Sequence, residues 1–247
     1  MLLTGKNAMI TGAAGGIGNA MLRVFTREGA NVWALDLKPS EVFEAQCQGL
    51  SQAHGVWVSP VYCDLRSAGE RKAAFSQVMA DKRPLDILVN NAGIMGEDKM
   101  FQMTSEAEMR DIFDVNVFAM LEVSRFATRL MARRKSGSVI NIASVAGLDG
   151  DSRIDYSASK AAVIAATKKM ARELAPMGIR ANALAPGYVD TSLTAGLSQK
   201  VVDETLNKIL MHRPAQPEEI ANVAAFLASD LSSYVTAQVW RVDGGMV

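Results

Sequence analysis

A chain of 247 residues can hold one large α/β domain or two small ones, with room for a sizeable core. Hydrophobic residues make up 49% and charged residues 21%, the balance of an ordinary globular protein. The 26 basic and 26 acidic residues cancel, which argues against nucleic acid or an anionic membrane as partner, and no apolar run reaches the roughly 18 residues of a membrane span.

Lys6 to Thr11 reads as a short buried strand, followed by a glycine-rich turn, Gly12 to Gly18, and a helical pattern from Asn19 to Glu28 that Gly29 stops. Asn31 to Asp36 is a second strand, Ser40 to Ser51 an amphipathic helix, and Val56 to Tyr62 a third strand with Asp64 just past its end. A helix over Ser67 to Asp81 leads to a fourth strand, Leu85 to Asn90. Thr104 and the acids after it open a long helix expected to run to Arg134, with Gly137 breaking it before a fifth strand, Ser138 to Ala143. A helix from Tyr156 to Ala175 and a sixth strand, Gly178 to Ala185, come next. Residues 188–213 have weak periodicity and read as a partly helical substrate lid. Pro217 starts a helix ending near Ser229, and Gln238 to Val242 is the last strand. Strands and helices alternate, the strands are apolar runs, and no linker or repeat divides the chain. The expected fold is α/β: a single-domain, doubly wound parallel sheet, the Rossmann fold, over residues 1–247 with helices on both faces.

Two stretches carry chemistry. Gly12, Gly16 and Gly18 sit where a first strand turns into a first helix, the arrangement in which backbone amides and the helix dipole receive a pyrophosphate. A plain tight turn is the competing account of these glycines. Asp36 ends the second strand, close to the roughly 20-residue offset at which an acid meets a ribose 2′-hydroxyl. With Gly15 and Leu37 uncharged, the pattern favours NAD over NADP, although Lys38 is near enough to reach a phosphate. Tyr156 and Lys160, four apart, share a helix face, so the ammonium is expected to draw the phenol pKa down from about 10 towards neutrality. Ser144, at the end of the fifth strand, can hydrogen-bond the same substrate oxygen. Alone, the Tyr156 and Lys160 pair would describe any surface helix; the glycine turn and Asp36 lift it above that.

Together with Asp64, Leu65, the Asn90-to-Gly93 segment, Asn116, Pro186 and Gly187, these motifs closely resemble the short-chain dehydrogenase/reductase family over the whole chain. The resemblance implies that Tyr156 exchanges a proton with the substrate oxygen and that Lys160 lowers its pKa and holds the nicotinamide ribose. It implies that Ser144 orients the carbonyl and that Asn116 supports a water leading from the lysine to solvent. Gly12, Gly15, Gly16, Ile17 and Gly18 would hold the pyrophosphate, Asp36 and Leu37 the adenosine ribose, and Asp64 and Leu65 the adenine. Asn90, Ala92 and Gly93 would line the cofactor, and Pro186, Gly187, Val189 and Thr191 would meet the nicotinamide. Hydride would then pass between the nicotinamide and a secondary alcohol or ketone.

Ser144, Met95, Leu148, Arg153 and Tyr188, with Leu193 and Leu197, are the candidate substrate residues. Asp149, Asp151, Arg153 and Asp155 make the loop before Tyr156 polar, and such a charge run usually faces water. The nearest subfamily by resemblance is the 3-oxoacyl-acyl-carrier-protein reductases. Arg133, Arg134 and Lys135 would suit an acidic carrier protein, or simply the negative end of a helix dipole. Met177 stands where carrier-dependent members tend to have an arginine, so an NAD-dependent sugar, polyol or hydroxy-acid dehydrogenase is the alternative. A non-catalytic nucleotide-binding regulator is the contrasting class, against which the intact Asn116, Ser144, Tyr156 and Lys160 set argues. The resemblance also implies a homotetramer. Cys47 and Cys63 read as packed thiols, neither they nor His54 and His212 match a metal motif, and the start of the chain lacks a signal-peptide layout, so the expected compartment is cytoplasmic.

Overall fold

The computed structural model describes residues 1–97, 99–191 and 199–247. Its strands are β1 (Asn7–Thr11), β2 (Asn31–Asp36), β3 (Val58–Tyr62), β4 (Ile87–Asn90), β5 (Gly137–Ile142), β6 (Ile179–Pro186) and β7 (Val239–Val242). They form one sheet in the order β3-β2-β1-β4-β5-β6-β7 with every pairing parallel. The order reverses direction at β1, where the chain crosses from building towards β3 to building towards β7. In such sheets the ligand crevice opens at that switch point, beyond the carboxyl ends of the strands.

Successive strand residues feed opposite faces. Ala8 and Ile10 of β1 pack with Val32, Val89, Ile140 and Leu184 under α1 (Gly16–Arg27) and α9 (Pro217–Ala228), which contribute Leu22, Phe25, Ile220 and Ala224. Met9, Trp33, Leu88 and Val139 face the other way. They meet Phe75 and Val78 of α3 (Ala68–Ala80), Val123 and Met131 of α5 (Met120–Ala132), and Ala171 of α7 (Ile154–Leu174). Burial on both faces is why the strands read as unbroken apolar runs, each large side chain contributing roughly 1.5–3 kcal/mol. Pro60 lies on β3, an edge strand, where its missing donor is tolerated.

The ends of elements differ from the sequence reading where local chemistry differs. α1 begins at Gly16, inside the glycine turn, instead of at Asn19. The long helix is capped by Ser105, whose hydroxyl accepts from the Glu108 amide while the Glu108 carboxylate accepts from the Ser105 amide. It is not uniform: α4 (Glu106–Phe113) passes through a π-helical segment, Asp114–Ala119, before α5. α2 (Glu41–His54) and the short α6 (Ala146–Asp149), which is too brief to show periodicity, complete this part. Of the expected lid, α8 (Gln199–Asn207) is helical and residues 192–198 lie outside the described residues. Among the described residues no helix is long and apolar enough to cross a membrane.

Candidate active site

A cleft of about 430 Å³ opens along the carboxyl ends of the strands, from Asp36, Asp64 and Leu65 at one end to Ser144, Tyr156 and Lys160 at the other. Gly12, Gly15, Gly16, Ile17, Leu37, Ala92, Gly93, Pro186, Gly187, Val189 and Thr191 also line it. The turn into α1 has no side-chain cap, so the amides at the helix start remain available to a ligand in the cleft. A Cβ on Gly18 would lie 1.9 Å from the Gly12 carbonyl oxygen, and Gly12 itself has φ +66. These observations fit a dinucleotide laid across the turn. Asp36 braces the same turn, its carboxylate accepting from the Ala14 amide at 2.7 Å and the Leu37 amide at 2.8 Å. Thr11 joins β1 to the far side of the cleft, its hydroxyl accepting from the Asn91 and Ala92 amides, both at 3.0 Å.

At the other end, the π-helical segment puts Asn116 behind the cleft wall. Its Oδ1 accepts from the Ile94 amide at 2.8 Å, and its Nδ2 donates to the Ile94 carbonyl at 2.9 Å and to Ser159 Oγ at 3.1 Å. A Cβ on Gly93 would stand 3.2 Å from Asn116 Oδ1 and 3.3 Å from Lys160 Nζ, so Asn116 and Lys160 flank one glycine. Lys160 Nζ donates to the Ile142 carbonyl at 2.8 Å and lies 5.7 Å from the centre of the Tyr156 ring. Tyr156 and Ser144 are joined by a hydrogen bond between their hydroxyls.

The electrostatics correct one expectation. Burial pushes the Tyr156 phenol above its ordinary value, and the hydrogen bond with Ser144 offsets this only in part. Burial also pulls Lys160 down to about 8. In the protein alone the phenol is therefore kept protonated. The lysine ammonium donates to the Ile142 carbonyl and lies 5.7 Å from the centre of the phenol ring.

Other placements also differ. Gly18 is buried beneath the turn and is needed for its packing. Asn90 does not line the cleft: it is buried and donates to Ser124 Oγ at 2.8 Å and Asn141 Oδ1 at 2.7 Å, and the neighbouring Asn91 lines the cleft instead. Met95, Leu148, Arg153 and Tyr188 are not among the lining residues, and Leu193 and Leu197 lie outside the described residues. The loop before Tyr156 is not simply solvated. The Arg153 and Asp155 side chains are buried against each other, and Asp149 is bound by Arg241 at 2.9 Å. Leu35, Cys63, Arg66, Val115, Ile142 and Ala143 line the cleft without having been expected to, and Ile94 lines it as well. Most adjoin a motif residue, which was the available signal.

A parallel sheet with a glycine turn at its switch point and a Ser, Tyr and Lys group across the cleft defines a nucleotide-dependent oxidoreductase. A family model described as enoyl-(acyl carrier protein) reductase matches residues 12–247. A 3-oxoacyl-[acyl-carrier-protein] reductase, FabG, of Thermotoga maritima is 38% identical over 250 residues, covering all of both chains. A solved Brucella melitensis 3-oxoacyl-[acyl-carrier protein] reductase with bound NAD superposes with TM-score 0.91 at 33% identity, over 99% of this chain and 92% of that one. A Beutenbergia cavernae structure assigned as an NAD(P)-dependent gluconate 5-dehydrogenase, with NADP bound at low occupancy, gives 0.92 at 35% identity, over 98% and 97%. The chain belongs to the short-chain dehydrogenase/reductase family, near its 3-oxoacyl-acyl-carrier-protein reductases. It is an NAD(P)-dependent oxidoreductase acting on a keto or hydroxyl group.

Proposed function

We propose that this chain reduces the ketone of a 3-oxoacyl thioester to the hydroxyl, with NADH preferred over NADPH. The observation that carries the reading is the pair of hydroxyls, Ser144 and Tyr156, joined beside Lys160 in the cleft. When bound, the nicotinamide supplies the hydride. Tyr156, protonated by virtue of its burial, is the proton donor to the substrate oxygen, and Ser144 donates a hydrogen bond to that oxygen. Lys160 holds the nicotinamide ribose, with Asn116 steadying the glycine between them. Two hydroxyls aimed at one oxygen suit a carbonyl better than the carbon–carbon double bond named in the family model's description. Asp36 supports NADH, because a carboxylate at that end of the cleft repels a 2′-phosphate.

A sugar, polyol or hydroxy-acid substrate is the second reading. Met177 in place of a basic residue favours it, as does the position of Arg133 to Lys135, which lead into the amino-terminal end of β5, opposite the cleft within one chain. Arg134 is already paired with Asp86 there. The deciding experiment follows nicotinamide absorbance with 3-oxoacyl thioesters, sugars and alcohols, for the wild type and Tyr156→Phe. The variant is expected to lose at least about 100-fold in turnover while binding cofactor normally. Turnover near wild type in Tyr156→Phe would refute the mechanism.

A further inference from the structure

Arg153 and Asp155 precede Tyr156 in what the sequence presents as a polar loop, yet their side chains are 4% and 0% exposed. The contact is bidentate: Arg153 Nε donates to Asp155 Oδ1 at 3.0 Å and Nη2 to Oδ2 at 2.8 Å. Oδ1 also accepts from the Tyr156 amide at 2.8 Å. The N-cap residue of α7 is Arg153 itself, which offers no side-chain cap, so the carboxylate two residues further on takes over that task. The guanidinium in turn lies under the loop that leaves β4: a Cβ on Gly96, which has φ +73, would be 3.4 Å from Arg153 Cζ. That loop passes through Gly93, the glycine between Asn116 and Lys160. The ion pair thus joins the start of α7, which carries Tyr156, to the loop after β4, which packs against Asn116 and Lys160.

A buried ion pair seldom adds stability over an apolar pair of the same shape; what a planar, two-pronged contact adds is fixed orientation. We propose that Arg153 and Asp155 are positioning residues that set the Tyr156 hydroxyl against the substrate oxygen. The proposal rests on the reading of Tyr156 as the proton donor. Neither residue touches the cleft, so their loss acts on turnover and not on cofactor affinity.

The test compares Asp155→Asn, Asp155→Glu and Arg153→Lys with wild type in kcat, in cofactor Kd from tryptophan fluorescence, and in thermal stability. Tyr156 ionisation is followed independently by the ultraviolet phenolate signal that Tyr156→Phe removes. Asp155→Asn is expected to lower kcat at least about tenfold with Kd within about twofold, and Asp155→Glu to recover part of the loss. The phenolate midpoint moves in the same variants. If Asp155→Asn does not fold, Arg153→Lys, which keeps the charge and loses the fork, carries the same expectation at about threefold or more. Wild-type kcat and phenolate midpoint in a folded variant, with stability alone reduced, would overturn the proposal, as would an equal loss in kcat and cofactor affinity. If Tyr156→Phe itself stays active, the proton-donor reading falls; if it is inactive while the pair variants keep full kcat, only the positioning role falls.

Discussion

Lys160 shows how much one buried group is asked to carry. Its ammonium is enclosed, donates to the Ile142 carbonyl, and is pulled by burial down to about 8 from the roughly 10.4 of an unfolded chain. Below about pH 8 the group is charged in both states, and the folded protein bears the whole cost of a desolvated ammonium. Between about pH 8 and 10.4 the unfolded chain binds more protons than the folded one, so stability rises with pH, by roughly 3 kcal/mol over the window. Above it both states are neutral and the cost is gone. Lys160→Met removes the titration. Urea unfolding at about pH 7 and about pH 10 should show wild type gaining on the variant as pH rises. A difference independent of pH would mean that the lysine is not desolvated in solution. The Tyr156 phenol, raised by the same burial, stays protonated over the neutral range.

At the scale of elements, β2, the glycine turn and α1 act as one unit, because the Asp36 carboxylate at the end of β2 accepts from the Ala14 amide in the turn. Asp36 therefore supports backbone as well as repelling a 2′-phosphate. Asp36→Ala is expected to narrow the NADH-over-NADPH preference in kcat/KM by about tenfold, equivalent to about 1.4 kcal/mol. Asp36→Asn, which keeps an acceptor for Ala14, should do the same with less loss of stability. An unchanged ratio in both would place the discrimination elsewhere. The strands and their buried ends were legible in the sequence because each apolar run between helices has few alternative uses. The pairing of Tyr156 and Lys160 was legible because helix spacing dictates which side chains share a face, and Ser144 was legible from its place just past the fifth strand. The Arg153 and Asp155 contact was not, since an Arg-x-Asp sequence looks alike in water and in a protein interior. Nor was the π-helical turn at Asn116, which depends on the Ile94 backbone, remote in sequence, to hold the amide. The raised phenol escaped for a related reason: spacing gives the distance between two groups and says nothing of the solvent removed from both.

For the molecule as a whole, the long helix built from α4, the π segment and α5 leaves Phe118 58% exposed and Leu121 37% exposed. Exposed apolar side chains on a helix suit contact with a second copy of the chain, and a homotetramer is what the family resemblance implies. Sedimentation of the wild type should give a four-chain mass, and Phe118→Glu should shift it to smaller species with the fold retained. A single-chain wild type would remove this reading. The seam between the segment after β5 and α7 bears on how such a protein can be re-engineered. A Cβ on Gly147 would sit 2.6 Å from the Lys160 carbonyl carbon and 2.7 Å from the Ala161 amide nitrogen. A recognition loop transplanted here from another reductase must therefore arrive with a bare backbone at residue 147, or the graft would pry the lysine out of register before any new substrate was met.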